Sequence, residues 1–194
     1  MKDLLSNGIM VDDKTYRIFI ENFVCDAPAR SFVKITKGHS GYHGCDYCEQ
    51  RGVYYMNRMT FPDTIVTLRT DVAFDEMMCE EHHRGESDLK QLNLGMVTQF
   101  PHDYMHLICL GVVKKIIIIW MRGPLNIRIG ANVIRSISDT IVTLQSFLPR
   151  EFVRKGRKLD EVDRWKATEF RTFLLYTGPI LLRGKLSDVS TRTS

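Results

Sequence analysis

Residues 15–24, Thr15-Tyr16-Arg17-Ile18-Phe19-Ile20-Glu21-Asn22-Phe23-Val24, put apolar side chains on both faces of an extended chain. Tyr16, Ile18, Ile20 and Val24 fall on one face, and Phe19 and Phe23 on the other. A run rich in aromatic and β-branched residues, with both faces partly apolar, predicts an inner strand of a covered sheet rather than an exposed edge. Asp12-Asp13 bounds it on one side and Pro28 on the other. Asp26 lies just past its end, where open α/β sheets tend to hold ligands. The same aspartate could instead cap a following helix, with Pro28 in the first helical turn.

Turn signals divide the chain further. A short helix over residues 1–7 leads through Gly8 into a brief strand, Ile9-Met10-Val11. Asp12-Asp13 then turns the chain into the main strand, giving a hairpin that ends at Asp26. A helical turn over 29–34 and two glycines, Gly38 and Gly41, lead to Cys45-Asp46-Tyr47-Cys48. A second hairpin is expected around Asn57. From Thr70 onward the periodicity becomes helical, with Val72, Phe74, Met77 and Met78 able to share a face. After a charged break over 80–90, helices are predicted over 103–121, 132–147 and 161–176, the last stopped by Gly178-Pro179. The expected architecture is α+β: a partial sheet with its thiol turn over 1–63, a helical region of about four helices over 64–186, and a polar tail over 187–194 that frays.

Composition narrows the function classes. At 194 residues, 44% hydrophobic and 26% charged, the chain can bury one substantial core. A net charge of +4 suits a polyanionic partner without demanding one. Five cysteines with one close pair, and no recognisable signal peptide, argue for a reducing compartment over a secreted disulfide framework. The apolar run Ile116-Ile117-Ile118-Ile119-Trp120-Met121 is too short to cross a bilayer and reads as a buried helix, so no membrane partner is expected.

Three constellations could carry chemistry. Cys45-x-x-Cys48 has the spacing at which two thiolates from one turn reach a tetrahedral metal. Candidate companions are His39, His43, His82, His83, His102 and His106. A redox pair or two buried structural thiols are the alternatives. Asp103 and His106 stand one helical turn apart, a spacing that serves a metal, a carboxylate-oriented imidazole or a plain helix start. Arg150-Glu151-Phe152-Val153-Arg154-Lys155-Gly156-Arg157-Lys158 gathers five cations against one anion in a loop between helices. Its Arg150, Arg154, Lys155, Arg157 and Lys158 could hold DNA phosphates or form an ordinary solvated surface.

The order and spacing of several blocks resemble the transposases of CACTA-type (En/Spm-like) DNA elements. These are Cys25-Asp26-Ala27-Pro28-Ala29-Arg30; Lys37-Gly38-His39-x-Gly41-Tyr42-x-Gly44-Cys45-x-x-Cys48; Asp103-Tyr104-Met105-His106-Leu107-x-Cys109-Leu110-Gly111-Val112; Trp165-Lys166-Ala167-Thr168-Glu169-Phe170-Arg171; and Tyr176-x-Gly178-Pro179. The resemblance spans about residues 1–186. It implies an RNase H-like core of the acidic-triad type that cuts and joins DNA with Mg²⁺ or Mn²⁺, acts in the nucleus and takes no small-molecule substrate. The parent enzyme could self-associate. Asp26 matches the second metal-binding carboxylate, and Cys45 with Cys48 the thiol half of a Zn²⁺ site. Asp103 and His106 match a recurring D-x-x-H element. The other two carboxylates of the triad are expected outside these residues, upstream of the first and well beyond the last, so the chain reads as an incomplete RNase H-like core. It would be an internal piece of such an enzyme, inactive alone, or a domesticated remnant that binds DNA or a protein partner. One aspartate cannot clamp two divalent ions against water.

Overall fold

A computed structural model describes residues 2–185. The tail expected over 187–194 lies outside the described residues. The fold mixes helices with two small antiparallel hairpins and divides into two compact units, one ending at Asp103 and one beginning at Tyr104. The thiol turn therefore shares a unit with residues 64–103, which the sequence had grouped with the helices.

In the first unit, α1 (Lys2–Asn7) runs into the hairpin of β1 (Ile9–Val11) and β2 (Lys14–Tyr16), with Ile9 opposite Tyr16 and Val11 opposite Lys14. Asp12 and Asp13 both take positive φ, 47° and 59°, the type I′ geometry that suits a two-residue hairpin. The ladder stops at Tyr16. The expected strand over 15–24 does not continue, because among the described residues no other strand lies alongside it. Phe19 is 80% exposed instead of covered. The segment is held by Gln99: the Gln99 side-chain amide donates to the Ile20 carbonyl (2.8 Å), and the Phe23 N–H donates to the Gln99 carbonyl (2.8 Å). Phe23 stacks on Phe100 with ring centroids 5.3 Å apart.

α2 (Ala27–Lys34) follows, and Ile35 in the left-handed region ends it. The second hairpin, β3 (Val53–Tyr55) with β4 (Arg58–Thr60), turns at Met56-Asn57, again with two positive φ values. Each hairpin is a separate two-stranded sheet, not part of one small sheet. Thr70 caps α3 (Asp71–Asp75) by accepting the Ala73 N–H at 3.1 Å. That helix ends before Met77 and Met78, which the periodicity had placed on its face; Met77 takes φ 52° and Met78 is exposed. The core of this unit is Phe74, Met96, Val97 and Phe100, joined by Phe23, Val33 and Leu89.

The second unit is helical. A wide π-type stretch, Met105–Val113, continues without a break into α4 (Lys114–Arg122). α5 (Ala131–Leu144), a 3₁₀ segment (Leu159–Arg164) and α6 (Ala167–Thr172) follow. The chain then winds through Phe173–Thr177 directly into α7 (Gly178–Leu182). Gly178-Pro179 was expected to stop the helix. Instead, the winding runs on through Gly178, whose N–H bonds the Phe173 carbonyl, and Pro179 is accommodated in the first turn of α7. Cys109, Val113 and Ile117 pack with Ile137, Ile141, Val162, Trp165, Phe170 and Leu181 to form the core. Ile117 is 1% exposed, whereas Ile116 beside it is 40% exposed, so only one face of the isoleucine run is interior. Among the described residues no helix is long and apolar enough to cross a membrane.

Candidate functional site

Asp26 stands at the start of α2 with extended backbone (φ −64°, ψ 165°), and its Oδ1 accepts the Ala29 N–H at 2.8 Å. It is therefore the helix cap, one of the two roles its sequence context allowed. The strand that was to present it as a metal ligand is absent. Among the described residues, the strand-like pairing nearby is an isolated parallel bridge between Cys25 and His102.

Capping fixes the phase of α2, and the phase selects what faces the interior. Arg30 and Lys34, four residues apart, share one face, and both are buried, at 6% and 1% exposed. Asp46, inside the C-x-x-C turn, lies between them. It pairs with the Arg30 guanidinium through Nε, and Lys34 Nζ donates to its Oδ1 at 2.9 Å. Burial pushes the Lys34 ammonium below its ordinary pKa; Asp46 opposes this, while Arg30 and Arg69 add to it. Lys34 also lies over the Phe74 and Phe100 rings at 4.9 and 5.4 Å, contacts that favour its charged form.

Arg30 reaches further. Its Nη1 lies 3.4 Å from the Tyr47 hydroxyl, the Pro101 carbonyl and His102 Nδ1. The Tyr47 hydroxyl donates to the Phe100 carbonyl at 2.5 Å, and the Tyr47 and His102 rings are 4.3 Å apart. Burial raises the Tyr47 pKa against the opposing Arg30 charge; burial, then Arg30, lowers that of His102. Three blocks widely separated in sequence, at 25–30, 37–48 and 100–103, thus meet around one guanidinium.

His82 closes the cluster from behind. Antiparallel pairing of Thr36 with His83, together with the Lys37 N–H to His82 carbonyl bond (2.8 Å), fixes its backbone. Its Nδ1 is 2.7 Å from the His43 carbonyl, which can only accept, so Nδ1 carries the proton. Nε2 faces Asp46 Oδ1 at 3.8 Å and has no hydrogen-bond partner among the described residues. Burial, more than any other influence, brings the His82 pKa down to about 4, leaving the ring neutral near pH 7.

The thiol turn closes as its spacing predicts. The Cys45 and Cys48 sulfurs are 3.1 Å apart. Gly44 has to be glycine here, because a Cβ would collide with the Gly38 carbonyl. The turn is tied down by the Arg69 N–H to Tyr47 carbonyl bond (2.9 Å) and by Arg69 Nε donating to the Cys45 carbonyl (3.1 Å). Burial, with the Cys45 hydrogen bond second, raises the Cys48 thiol pKa. The two sulfurs stand close enough to reach one ion together. Among the described residues no group of three or more His, Cys, Asp or Glu side chains is arranged to hold a metal. Asp26, with one oxygen engaged by the α2 backbone, does not make a two-metal site for Mg²⁺ or Mn²⁺.

Of the remaining candidates, Asp103 closes the first unit, and His106 lies near the start of the helix that opens the second. The basic loop divides by role. Arg157 is structural: its Nε and Nη2 donate to Glu169 at 2.8 and 3.0 Å, and it also pairs with Glu161 at 3.4 Å. Glu169 is 2% exposed and accepts the Lys166 N–H at 2.8 Å. Burial alone would raise its pKa, but Arg157 and that N–H hold it below the ordinary range. Lys155 Nζ donates to the Gln145 carbonyl at 2.6 Å, and Lys158 lies 4.0 Å from Asp139. Arg150 and Arg154 are exposed, and no hydrogen bond or ion pair among the described residues holds either of them.

Sequence reasoning missed Arg30, Lys34, Asp46, Tyr47 and His82 as one cluster. The usable signal was the i, i+4 pair of cations on a capped helix together with an acid inside the C-x-x-C turn. No protein family, curated protein or solved structure matches this chain.

Proposed function

We propose that this chain is part of a CACTA-type DNA transposase and that, by itself, it supplies a folded scaffold for DNA chemistry without cutting DNA. The observation that carries this reading is the convergence on Arg30. The first two of the sequence blocks that resemble the family touch one another through that side chain, as parts of one functional unit should, and Pro101 and His102, just ahead of the third block, lie against it as well. Inactivity follows from the carboxylates: Asp26 is a helix cap, and in-line phosphoryl transfer needs several oxygens around two ions. A nuclear location and self-association of the parent enzyme belong to the same proposal.

A second reading, a non-catalytic remnant that binds DNA, is favoured by the exposure of Arg150 and Arg154 beside the engaged Arg157. Incubating the purified chain with supercoiled plasmid and Mg²⁺ or Mn²⁺ tests the first reading. No nicking is expected, and cleavage that Asp26→Asn abolishes would overturn it. Fluorescence anisotropy with duplex DNA tests the second. Binding should weaken steeply with salt and fall further in the Arg150→Ala/Arg154→Ala double variant. Binding indifferent to both would remove that reading.

A further inference from the structure

The first unit buries more positive than negative charge at one place. Arg30, Lys34 and Arg69 are 6%, 1% and 7% exposed, and Asp46 is the only carboxylate paired with any of them among the described residues. Asp71, whose field also reaches Lys34, is already engaged by the Val97 and Thr98 N–H groups and the Thr98 hydroxyl. Burying unpaired charge is costly, so an excess of buried cations calls for an anion. Arg69 Nη2 has no hydrogen-bond partner among the described residues, and the three 3.4 Å contacts of Arg30 Nη1 are at the weak end of the hydrogen-bond range.

An opening leads to the Arg30 end of this charge. A cleft of about 250 Å³ has Arg30, its partner Asp46, Tyr47 and His102 among its lining residues, together with the half-buried Lys37 and the exposed His39; Lys34 and Arg69 lie outside its lining and contribute only their field. We propose that the cleft binds a phosphate group, with Arg30 as its fixed donor at the base and Lys37 and His39 as donors at the mouth. The planar fork of Arg30 suits two phosphate oxygens, and Lys37 supplies a mobile point charge. The volume admits a phosphate with part of whatever carries it, so the ligand is either free phosphate or the terminal phosphate of a nucleic acid. The inference does not rest on the transposase reading, since cleavage activity plays no part in it.

Calorimetric titration of the full chain at constant ionic strength tests it, using inorganic phosphate and a short single-stranded oligonucleotide with and without a 5′-phosphate. Wild-type protein should bind phosphate saturably, and Lys37→Ala, on a half-buried side chain outside the Asp46 cluster, should weaken binding about tenfold while leaving the circular dichroism spectrum unchanged. Arg30→Lys, which keeps the charge but loses the fork, should weaken it as well. Inorganic phosphate binding as tightly as the phosphorylated oligonucleotide identifies free phosphate as the ligand. Tighter oligonucleotide binding that disappears with the 5′-phosphate identifies a nucleic-acid end. The proposal is overturned if wild type binds neither probe, or if Lys37→Ala binds both as wild type does.

Discussion

Replacing Asp46 with asparagine keeps the shape of the side chain but removes the one carboxylate between Arg30 and Lys34. Asp46 is only 12% exposed and its partners 7% and 1%, so water screens this arrangement poorly. Breaking a buried pair by deleting one partner typically costs about 3–5 kcal/mol, because the remaining charge stays buried and uncompensated. Here two cations are left, which places Asp46→Asn toward the upper end of that range. For a unit of about 100 residues each kcal/mol lowers the melting temperature by roughly 4–8 °C, so a loss of about 12 °C or more is expected. Urea unfolding followed by far-ultraviolet circular dichroism reads the same loss as a lower midpoint at unchanged slope. The reasoning has an internal control: adding Lys34→Met to Asp46→Asn removes one stranded cation and should recover about 1–4 kcal/mol. A cost below about 1 kcal/mol for Asp46→Asn, or no recovery in the double variant, would show that this charge cluster is not buried as described.

Three further outcomes are expected. Asp26→Ala should cost about 1 kcal/mol in urea unfolding, the usual value of a lost helix cap, and Asp26→Ser should restore most of it; millimolar Mg²⁺ should not distinguish wild type from Asp26→Asn in thermal unfolding. Glu169→Gln should destabilise the second unit near pH 7. The folded-state pKa of Glu169 is depressed, so its stabilisation is present above the ordinary glutamate pKa and is lost as pH falls through the folded value. The gap between wild type and Glu169→Gln in urea midpoint should therefore close on acidification. In a thiol-labelling time course with a disulfide reagent, the buried Cys48, whose thiol pKa is raised, should react more slowly than the half-buried Cys45.

Local chemistry was legible in the sequence, and tertiary pairing was not. Asp12-Asp13 and Met56-Asn57 sit at turns whose hairpins close as expected, and Thr70 and Asp26 announce helix starts through their side-chain oxygens. Residues 15–24 misled because apolar side chains on both faces show only that the segment can pair, whereas a ladder needs a neighbouring strand. The main-chain tie from Phe23 to Gln99 comes from a part of the chain that periodicity cannot link to it. Gly178-Pro179 looked like a terminator because proline cannot continue a helix interior, yet it is tolerated in the first turn of a new one. In the basic loop, a count of cations could not separate Arg157, locked to Glu169, from Arg150 and Arg154. The distinction lies in a buried glutamate 12 positions from Arg157.

The central claim is that blocks 25–30, 37–48 and 100–103 assemble around Arg30. It is tested most directly by nuclear Overhauser contacts between the ring protons of Tyr47 and His102, whose centroids lie 4.3 Å apart across 55 positions of sequence. Strong cross-peaks between the two rings are expected in the folded chain, and they should vanish on unfolding in urea. A folded protein with dispersed resonances but no Tyr47–His102 contact would contradict the account.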